Sequence, residues 1–522
     1  MLIKKFEIFL ITIVLLFSGL TFAQDDPNIR DIRIIHWNDF HAHNLPYRIT
    51  KKNDNGGDDI AYYIGGTSGM LGYVNKYRDA NSLLLVAGDD FQGSPISSIT
   101  KGRSQLELLN LYNLDVFTIG NHEFDYGQWN VDSVFASANF DVLAGNVYMN
   151  SLGRTLAKPY TIKEVNGVKI GIIGLTALDL LTLTIPKNVS DIRMINADSV
   201  ITDGIKYLKS EKCNLIVLLT HTGVDVDKKF AAKYSADVDI IVGGHSHTPL
   251  YKPVMINDVG IVQAGSYARW MGLMDLKVDI SKDTLVSFHD QLIETVFDST
   301  MYDRAAEEKV ETMVSAIQKD LLVKIGVLKV DWKKSYQEQS NLGEWEADVM
   351  RKVMKTDMAI INGGGIRKDL PKGDITIQDM WEINPFGNTI VTFNVTGAQL
   401  KEMFAHNIRN TVIELKELNA SDLAIPSGMY IEFDPRLIKE GSNDFITKFL
   451  INGKPLDYKK IYSVATNNYI GAQLKKYFGD TAKEVKITDS NIVDRDVMID
   501  AVREQKVIDQ KAEFRIKDIS KK

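Results

Sequence analysis

The first half of the chain repeats one pattern, a short apolar run that stops at a polar cluster. Ile32-Arg33-Ile34-Ile35 leads into Asn38-Asp39-Phe40-His41, and Leu83-Leu84-Leu85-Val86-Ala87 into Gly88-Asp89. Asp115-Val116-Phe117-Thr118-Ile119 leads into Gly120-Asn121-His122-Glu123-Phe124-Asp125. Leu215-Ile216-Val217-Leu218-Leu219 leads into Thr220-His221, and Asp239-Ile240-Ile241-Val242 into Gly243-Gly244-His245-Ser246-His247. Apolar runs of this length bounded by glycine and turn residues read as buried strands. Val142-Leu143-Ala144, Val168 to Ile173 and Val259 to Val262 read the same way, while Gly72 to Tyr77 and Ser199 to Leu208 read as helices. Strands with intervening helices from Asp31 to about Asp279 predict a layered α/β domain. Lys51 to Gly69, rich in Asn, Asp and Gly, reads as a surface loop, and Gly265-Ser266-Tyr267-Ala268-Arg269 as a structural one, with lining of the mouth where the polar clusters gather as its alternative.

The pattern then changes. From Ala305 to Leu322 apolar residues recur at spacings of three and four, which predicts an amphipathic helix and places a domain boundary near it. Beyond it, Met358-Ala359-Ile360-Ile361 leads into Asn362-Gly363-Gly364-Gly365-Ile366-Arg367. Consecutive glycines let backbone approach a ligand, and Arg367 offers a planar fork for phosphate or carboxylate.

Composition narrows the class. With 522 residues, 44% hydrophobic and 25% charged, the chain is an ordinary globular one with room for two or more cores. A formal net charge of -7 argues against nonspecific nucleic-acid binding. Lys4 and Lys5, an apolar stretch from Ile8 to Leu20, and Thr21-Phe22-Ala23 read as a secretory signal cleaved before Gln24. The expected product is soluble, secreted or periplasmic, with no stable membrane anchor and no nucleic-acid partner. Cys213 is the single cysteine, so no intrachain disulfide forms, and it reads as a buried inert thiol.

The strand-end clusters carry the chemistry. If their strands share one sheet edge, Asp39, His41, Asp89, Asn121, His221, His245 and His247 converge. Oxygen and imidazole donors without thiolate suit Zn, Mn, Co or Fe. Seven donors are too many for one catalytic ion with an open position. A pair of divalent ions ~3.5–4 Å apart would lower the pKa of bound water from about 15.7 towards about 7 and clamp an in-line displacement. His122 and Asp125 are three apart, so the carboxylate can fix the imidazole tautomer and favour the imidazolium. Asp125 could instead cap a helix beginning near Tyr126.

In order and spacing, the five blocks resemble the calcineurin-like metallophosphoesterases, in the 5'-nucleotidase and UDP-sugar hydrolase branch. The resemblance implies a four-layer α/β/β/α sandwich and a second α+β substrate-binding domain joined by a linker helix. The expected division is a signal at 1–23, the metallophosphoesterase domain at 24–300, the linker at 301–325 and the 5'-nucleotidase domain at 326–522. It also implies that Asp39, His41 and His247 hold the first metal, that Asp89 bridges, and that Asn121, His221 and His245 hold the second. His122 becomes the transition-state group and Asp125 its orienting partner.

By the same resemblance Asn362, Arg367, Phe386 of Asn384-Pro385-Phe386-Gly387-Asn388, and Tyr469 of Asn467-Asn468-Tyr469-Ile470 contact substrate, the two rings stacking on a base. The chain departs from the pattern twice. Glu338 stands where many relatives carry an arginine before the Asn341-Leu342-Gly343 segment, and Gly471-Ala472-Gln473 replaces a Gly-Gly-Asp-Gly turn. The implied activity is release of phosphate from nucleoside monophosphates by metal-bound water or hydroxide, with nucleotide sugars next. The alternatives are a related dinuclear-metal thiosulfohydrolase and a non-catalytic nucleotide-binding protein.

Overall fold

Alternation of side chains along the first-half strands builds two packed sheets. In the computed structural model, Ile34, Leu83, Leu85, Ile172, Val217 and Ile240 share one buried cluster between the sheets. Their chain neighbours Ile35, Leu84 and Val86 face the opposite way, into a core shared with Met70 and Val74 of the Gly66–Tyr77 helix. Ile173 and Leu218 likewise face Ile201 and Leu208 of the Ala197–Ser210 helix. This period of two makes each sheet apolar on both faces. The layers run helix, sheet, sheet, helix, as expected. The structure describes residues 26–51, 60–298, 300–336, 338–413, 423–438 and 443–520, so the signal expected at 1–23 lies outside the described residues.

The first sheet has the order Thr284–Glu294, Trp270–Asp279, Ile29–Trp37, Ser82–Val86, Val116–Thr118, Asp141–Leu143. The second has the order Val254–Ile256, Val259–Val262, Ile240–Val242, Leu215–Thr220, Val168–Leu175, Tyr160–Val165. The five strands that precede the polar clusters are parallel to their cluster-bearing neighbours within each sheet. The expectation of a single shared sheet edge is therefore corrected. Three clusters leave one sheet and two leave the other, and they meet because the two sheets end side by side.

Two further expectations meet the structure. The surface loop expected over Lys51 to Gly69 is in part regular, since Ile60–Ile64 pairs antiparallel with Tyr47–Lys51 and a helix begins at Gly66. Residues 52–59 lie outside the described residues. Cys213 is buried and free, as expected, and burial raises its thiol pKa.

The amphipathic segment forms the Arg304–Leu321 helix, with Ala306 and Val310 buried. It packs on Gly66–Tyr77 and Arg103–Leu109 of the first half and on Ile377–Ile383 of the second, and Lys309 pairs with Glu107 at 2.9 Å. The second half centres on a sheet ordered Ala424–Ser427, Met358–Asn362, Ile461–Asn467, Thr389–Thr396, Thr488–Val493. Helix Asn341–Met354 covers one face, capped by the Ser340 hydroxyl, which accepts from the Gly343 amide at 3.2 Å. No helix among the described residues is long and apolar enough to cross a membrane.

Candidate active site

Each polar cluster begins where a parallel strand ends, so the rigid sheets aim its side chains. The backbone there is forced into the left-handed region at Asp39 (φ 50°), His41 (51°), Asp89 (60°), His245 (76°) and His247 (52°). Non-glycine residues adopt it only when their surroundings impose it, and such strain gathers at functional sites. Gly120 is required for a different reason. A Cβ there would stand 2.2 Å from Asp89 Oδ1.

These turns bring the seven expected donors together. Asp39, His41, Asp89 and His247 form one group whose ligand atoms all lie within 4.8 Å of one another, and Asp89, His221 and His245 form a second. Asp89 belongs to both. His247 Nε2 lies 3.1 Å from Asp39 Oδ1, and His221 Nε2 lies 3.0 Å from Asp89 Oδ2. Asn121 Oδ1 stands 2.9 Å from His245 Nδ1, which places the amide in the second group.

The donor set fits divalent metal on grounds internal to the structure. His221 Nδ1 donates to the Ala87 carbonyl at 2.6 Å, and His41 Nδ1 to the Gln92 carbonyl at 3.2 Å. A carbonyl only accepts, so each Nδ1 carries the hydrogen and each Nε2 is left with a lone pair. Those lone pairs face other acceptors, since His41 Nε2 meets His247 Nε2 at 3.0 Å and His221 Nε2 meets a carboxylate. Asp39 Oδ1 and His221 Nε2 are buried without a hydrogen-bond partner among the described residues. Buried acceptors pointed at one another call for positive charge between them, which a proton or a divalent metal ion can supply. The local field favours positive charge there: burial lowers the His221 pKa, yet Asp89 and then Asp39 outweigh it, and the net shift is upward.

His122 Nδ1 lies 2.8 Å from Asp125 Oδ2, and the His122 amide donates to Asp89 Oδ1 at 2.8 Å. Asn188 donates to the Asp125 carbonyl at 2.7 Å. Burial lowers the His122 pKa, but Asp125 followed by Asp89 outweighs it, and the net shift is upward. The next α-helix starts at Gln128 with Gly127 at its cap position, so Asp125 orients His122 rather than capping that helix.

Glu123 carries a role that residue types alone do not announce. Its carboxylate, wholly buried, accepts from the amides of Gly120 at 2.7 Å, Asp90 at 2.7 Å, and Asp89 and Phe91 at 3.1 Å. It fastens the Asp89 turn to the Asn121 turn. Its place inside the polar cluster is the one signal in the sequence. Tyr267 lies in the stretch expected to be a structural loop, yet its ring packs on His41 and His247 at 5.4 Å.

A cavity of about 480 Å³ opens over the site and is walled by both halves of the chain. Asp89, Asn121, His122, Asp125, His245 and His247 face it from the first half, with Asp39, His41 and His221 buried behind. Asn362, Arg367, Phe386 and Tyr469 face it from the second. Phe386 packs 5.8 Å from the His122 ring, and the Arg367 guanidinium lies 5.9 Å from the Phe386 ring. Glu338 is exposed and outside this wall, whereas Lys476, after the departed turn, is on it.

A two-sheet sandwich that gathers Asp, Asn and His at its strand ends, with the relatives below, defines a metal-dependent phosphoric ester hydrolase. Residues 32–249 match the calcineurin-like phosphoesterase family, and residues 324–480 match the 5'-nucleotidase C-terminal domain. In this order of domains the chain is similar to the 5'-nucleotidase branch of the calcineurin-like metallophosphoesterases. It is 28% identical over 510 residues to protein UshA of Yersinia enterocolitica, covering 86% of this chain and 87% of that one. A 5'-nucleotidase precursor from Thermus thermophilus superposes with a TM-score of 0.81 at 26% identity, covering 94% of this chain and all of the other. The sulfate thiohydrolase SoxB of the same organism shares the fold, with a TM-score of 0.77 at 17% identity over 94% of this chain and 97% of that one.

Proposed function

We propose that the enzyme is an exported 5'-nucleotidase that releases phosphate from nucleoside monophosphates, with nucleotide sugars as further substrates. The observation that carries this is the shared cavity, which sets His122 and the Asp89–Asn121 turns opposite Arg367 and Phe386. Two divalent ions, one held by Asp39, His41 and His247 and one by Asn121, His221 and His245 with Asp89 between, would supply activated water and a clamp on the reacting oxygens. His122, kept protonated and oriented by Asp125, faces the charge that develops on the phosphoryl or leaving oxygen. Arg367 offers two parallel donors to phosphate oxygens, Phe386 and Tyr469 offer rings to the base, and Asn362 adds a polar contact on the same wall.

In this reading residues 24–300 form the catalytic domain, 301–325 the linker and 326–522 the substrate-binding domain, after removal of 1–23 on export. The test is phosphate release from AMP with added Mn or Zn, beside an Asn121→Ala variant. The expected result is turnover by the parent and its loss in the variant. Including nucleotide sugars, an aryl phosphate and a thiosulfonate-bearing substrate separates the alternatives. Turnover of the last alone would point to thiosulfohydrolase chemistry, and binding of AMP without any release would point to a binding protein.

A further inference from the structure

The second half brings one more polar group to the cavity. Lys334, Ser335 and Tyr336 lie on the loop between the Lys324–Leu328 strand and the Asn341–Met354 helix. Gly363 lets that loop approach, because a Cβ there would stand 2.4 Å from the Ser335 carbonyl oxygen. The first glycine of the Gly363-Gly364-Gly365 turn thus makes room for protein backbone. The Lys334 amide donates to Asp369 Oδ1 at 2.7 Å, and its Nζ donates to the Arg367 carbonyl at 3.1 Å and to Tyr336 Oη at 3.3 Å. The same ammonium sits 4.9 Å from the Tyr336 ring centroid and 5.6 Å from that of Tyr267. Loop and Arg367 are therefore one fixed unit, and Tyr336 lines the cavity beside Arg367 and Asn362.

The geometry points to Tyr336 as a phosphate-binding residue that donates its phenolic hydrogen to a non-bridging oxygen of the substrate's phosphate, with Lys334 as the positioning residue behind it. The inference rests on the reading above that the cavity takes a phosphate monoester. Such a group presents three non-bridging oxygens, and a guanidinium fork pairs with two of them. Tyr336 offers a hydroxyl donor on the same wall as that fork, in addition to whatever the first wall supplies to the phosphate. Lys334 has donors only, so it can hold the phenolic oxygen while leaving the phenolic hydrogen for another acceptor. Burial pushes the Tyr336 phenol up, and Arg367 followed by Lys334 outweighs it, bringing the group down to about 8. Near neutral pH the hydroxyl keeps its hydrogen and donates it more strongly than an ordinary tyrosine.

The experiment titrates the metal-loaded, full-length enzyme with inorganic phosphate in a calorimeter and measures KM and kcat for AMP and for glycerol phosphate. Tyr336→Phe is expected to weaken phosphate binding about tenfold and to raise both KM values by the same factor, with kcat within about threefold. Lys334→Met is expected to weaken phosphate by about threefold, and to add nothing in the Tyr336→Phe background. Metal content and thermal midpoint stay at the parent values, which a merely structural role would not allow. Phosphate affinity and KM within about twofold of the parent in Tyr336→Phe would overturn the assignment. If the parent turns over no nucleotide, the proposed substrate falls, while the phosphate titration still tests Tyr336 by itself.

Discussion

The cavity has two walls made in different ways. On the first-half wall, Asp39, His41, Asp89, His245 and His247 sit in strained left-handed conformations at the ends of parallel strands, and the Glu123 carboxylate binds the Asp89 and Gly120 turns through four amides. On the second-half wall, Asn362 has ordinary extended backbone (φ -112°), Phe386 lies between the Ile377–Ile383 helix and the Thr389–Thr396 strand, and Tyr469 belongs to a short helix. The first wall holds its side chains by backbone turns and buried hydrogen bonds, the kind of preorganisation that a reacting centre demands. The second offers faces and forks, which tolerate more variation in what they hold. Under the proposed function, the chemistry would lie in the first wall and the choice of substrate in the second.

Asp89→Asn is the harshest test of that division. Asp89 belongs to both donor groups, and its Oδ1 also accepts from the His122 amide. The substitution keeps shape and removes charge, so kcat is expected to fall by about a thousandfold, the several kcal/mol that a displaced metal centre represents. Metal content per chain, read by elemental analysis, should fall with it. Near-parental kcat with full metal would mean that the first wall is not the reaction centre.

Phe386→Ala probes the other wall. Losing one stacking face, worth ~1–3 kcal/mol per base, is expected to raise KM for nucleoside monophosphates by about tenfold. KM for glycerol phosphate, which has no ring to stack, should move by about twofold or less. Steady-state kinetics on the two substrates separates the outcomes. Because Phe386 also packs 5.8 Å from His122, a large fall in kcat for both substrates would show that the walls are coupled.

The same asymmetry governs how far the sequence can be read. Strand-end polar clusters are local signals, so His122, Asp125 and every expected donor are legible, and the structure brings them within reach of one another. Which clusters leave which of the two sheets is not, since strand order is a long-range property. Glu123 is visible as a letter but not as a clamp, because its partners are backbone amides, which leave no trace in residue types. Tyr336 escapes for another reason. It reaches the cavity through a loop whose path depends on the close approach at Gly363.

A buried carboxyl under the second wall offers a subtler contrast with Glu123. Among the described residues Glu346 Oε1 accepts only from the Asn384 amide, at 3.4 Å, and Oε2 has no hydrogen-bond partner. Burial first, then Asp494, pushes its pKa up from 4.5 to about 8. Below about pH 4.5 both folded and unfolded chains hold this proton. Between about 4.5 and 8 only the unfolded chain releases it, so stability drains away as pH rises through that window, and beyond it both release. Glu346→Gln removes the loss. Its thermal midpoint should match the parent near pH 4.5 and exceed it near pH 8, by about 2–4 °C for each kcal/mol regained. A gain of the same size at both pH values would assign the effect to packing.

Glu338→Arg carries the smallest expected effect and bears most directly on how the second wall recognises phosphate. By residue type, a carboxylate at that position would repel the substrate and an arginine would attract it. By position, the side chain is exposed and outside the cavity wall, and its amide donates to the Ser335 hydroxyl at 2.9 Å. At ordinary ionic strength a charge in solvent is screened within about 8 Å. KM for AMP and affinity for inorganic phosphate are therefore expected to stay within about twofold of the parent, with a slight gain only at low salt. A tenfold gain that persists in about 0.15 M salt would mean that the loop can turn this residue inward, and the wall built from Arg367 and Tyr336 would then be one of two arrangements available to it.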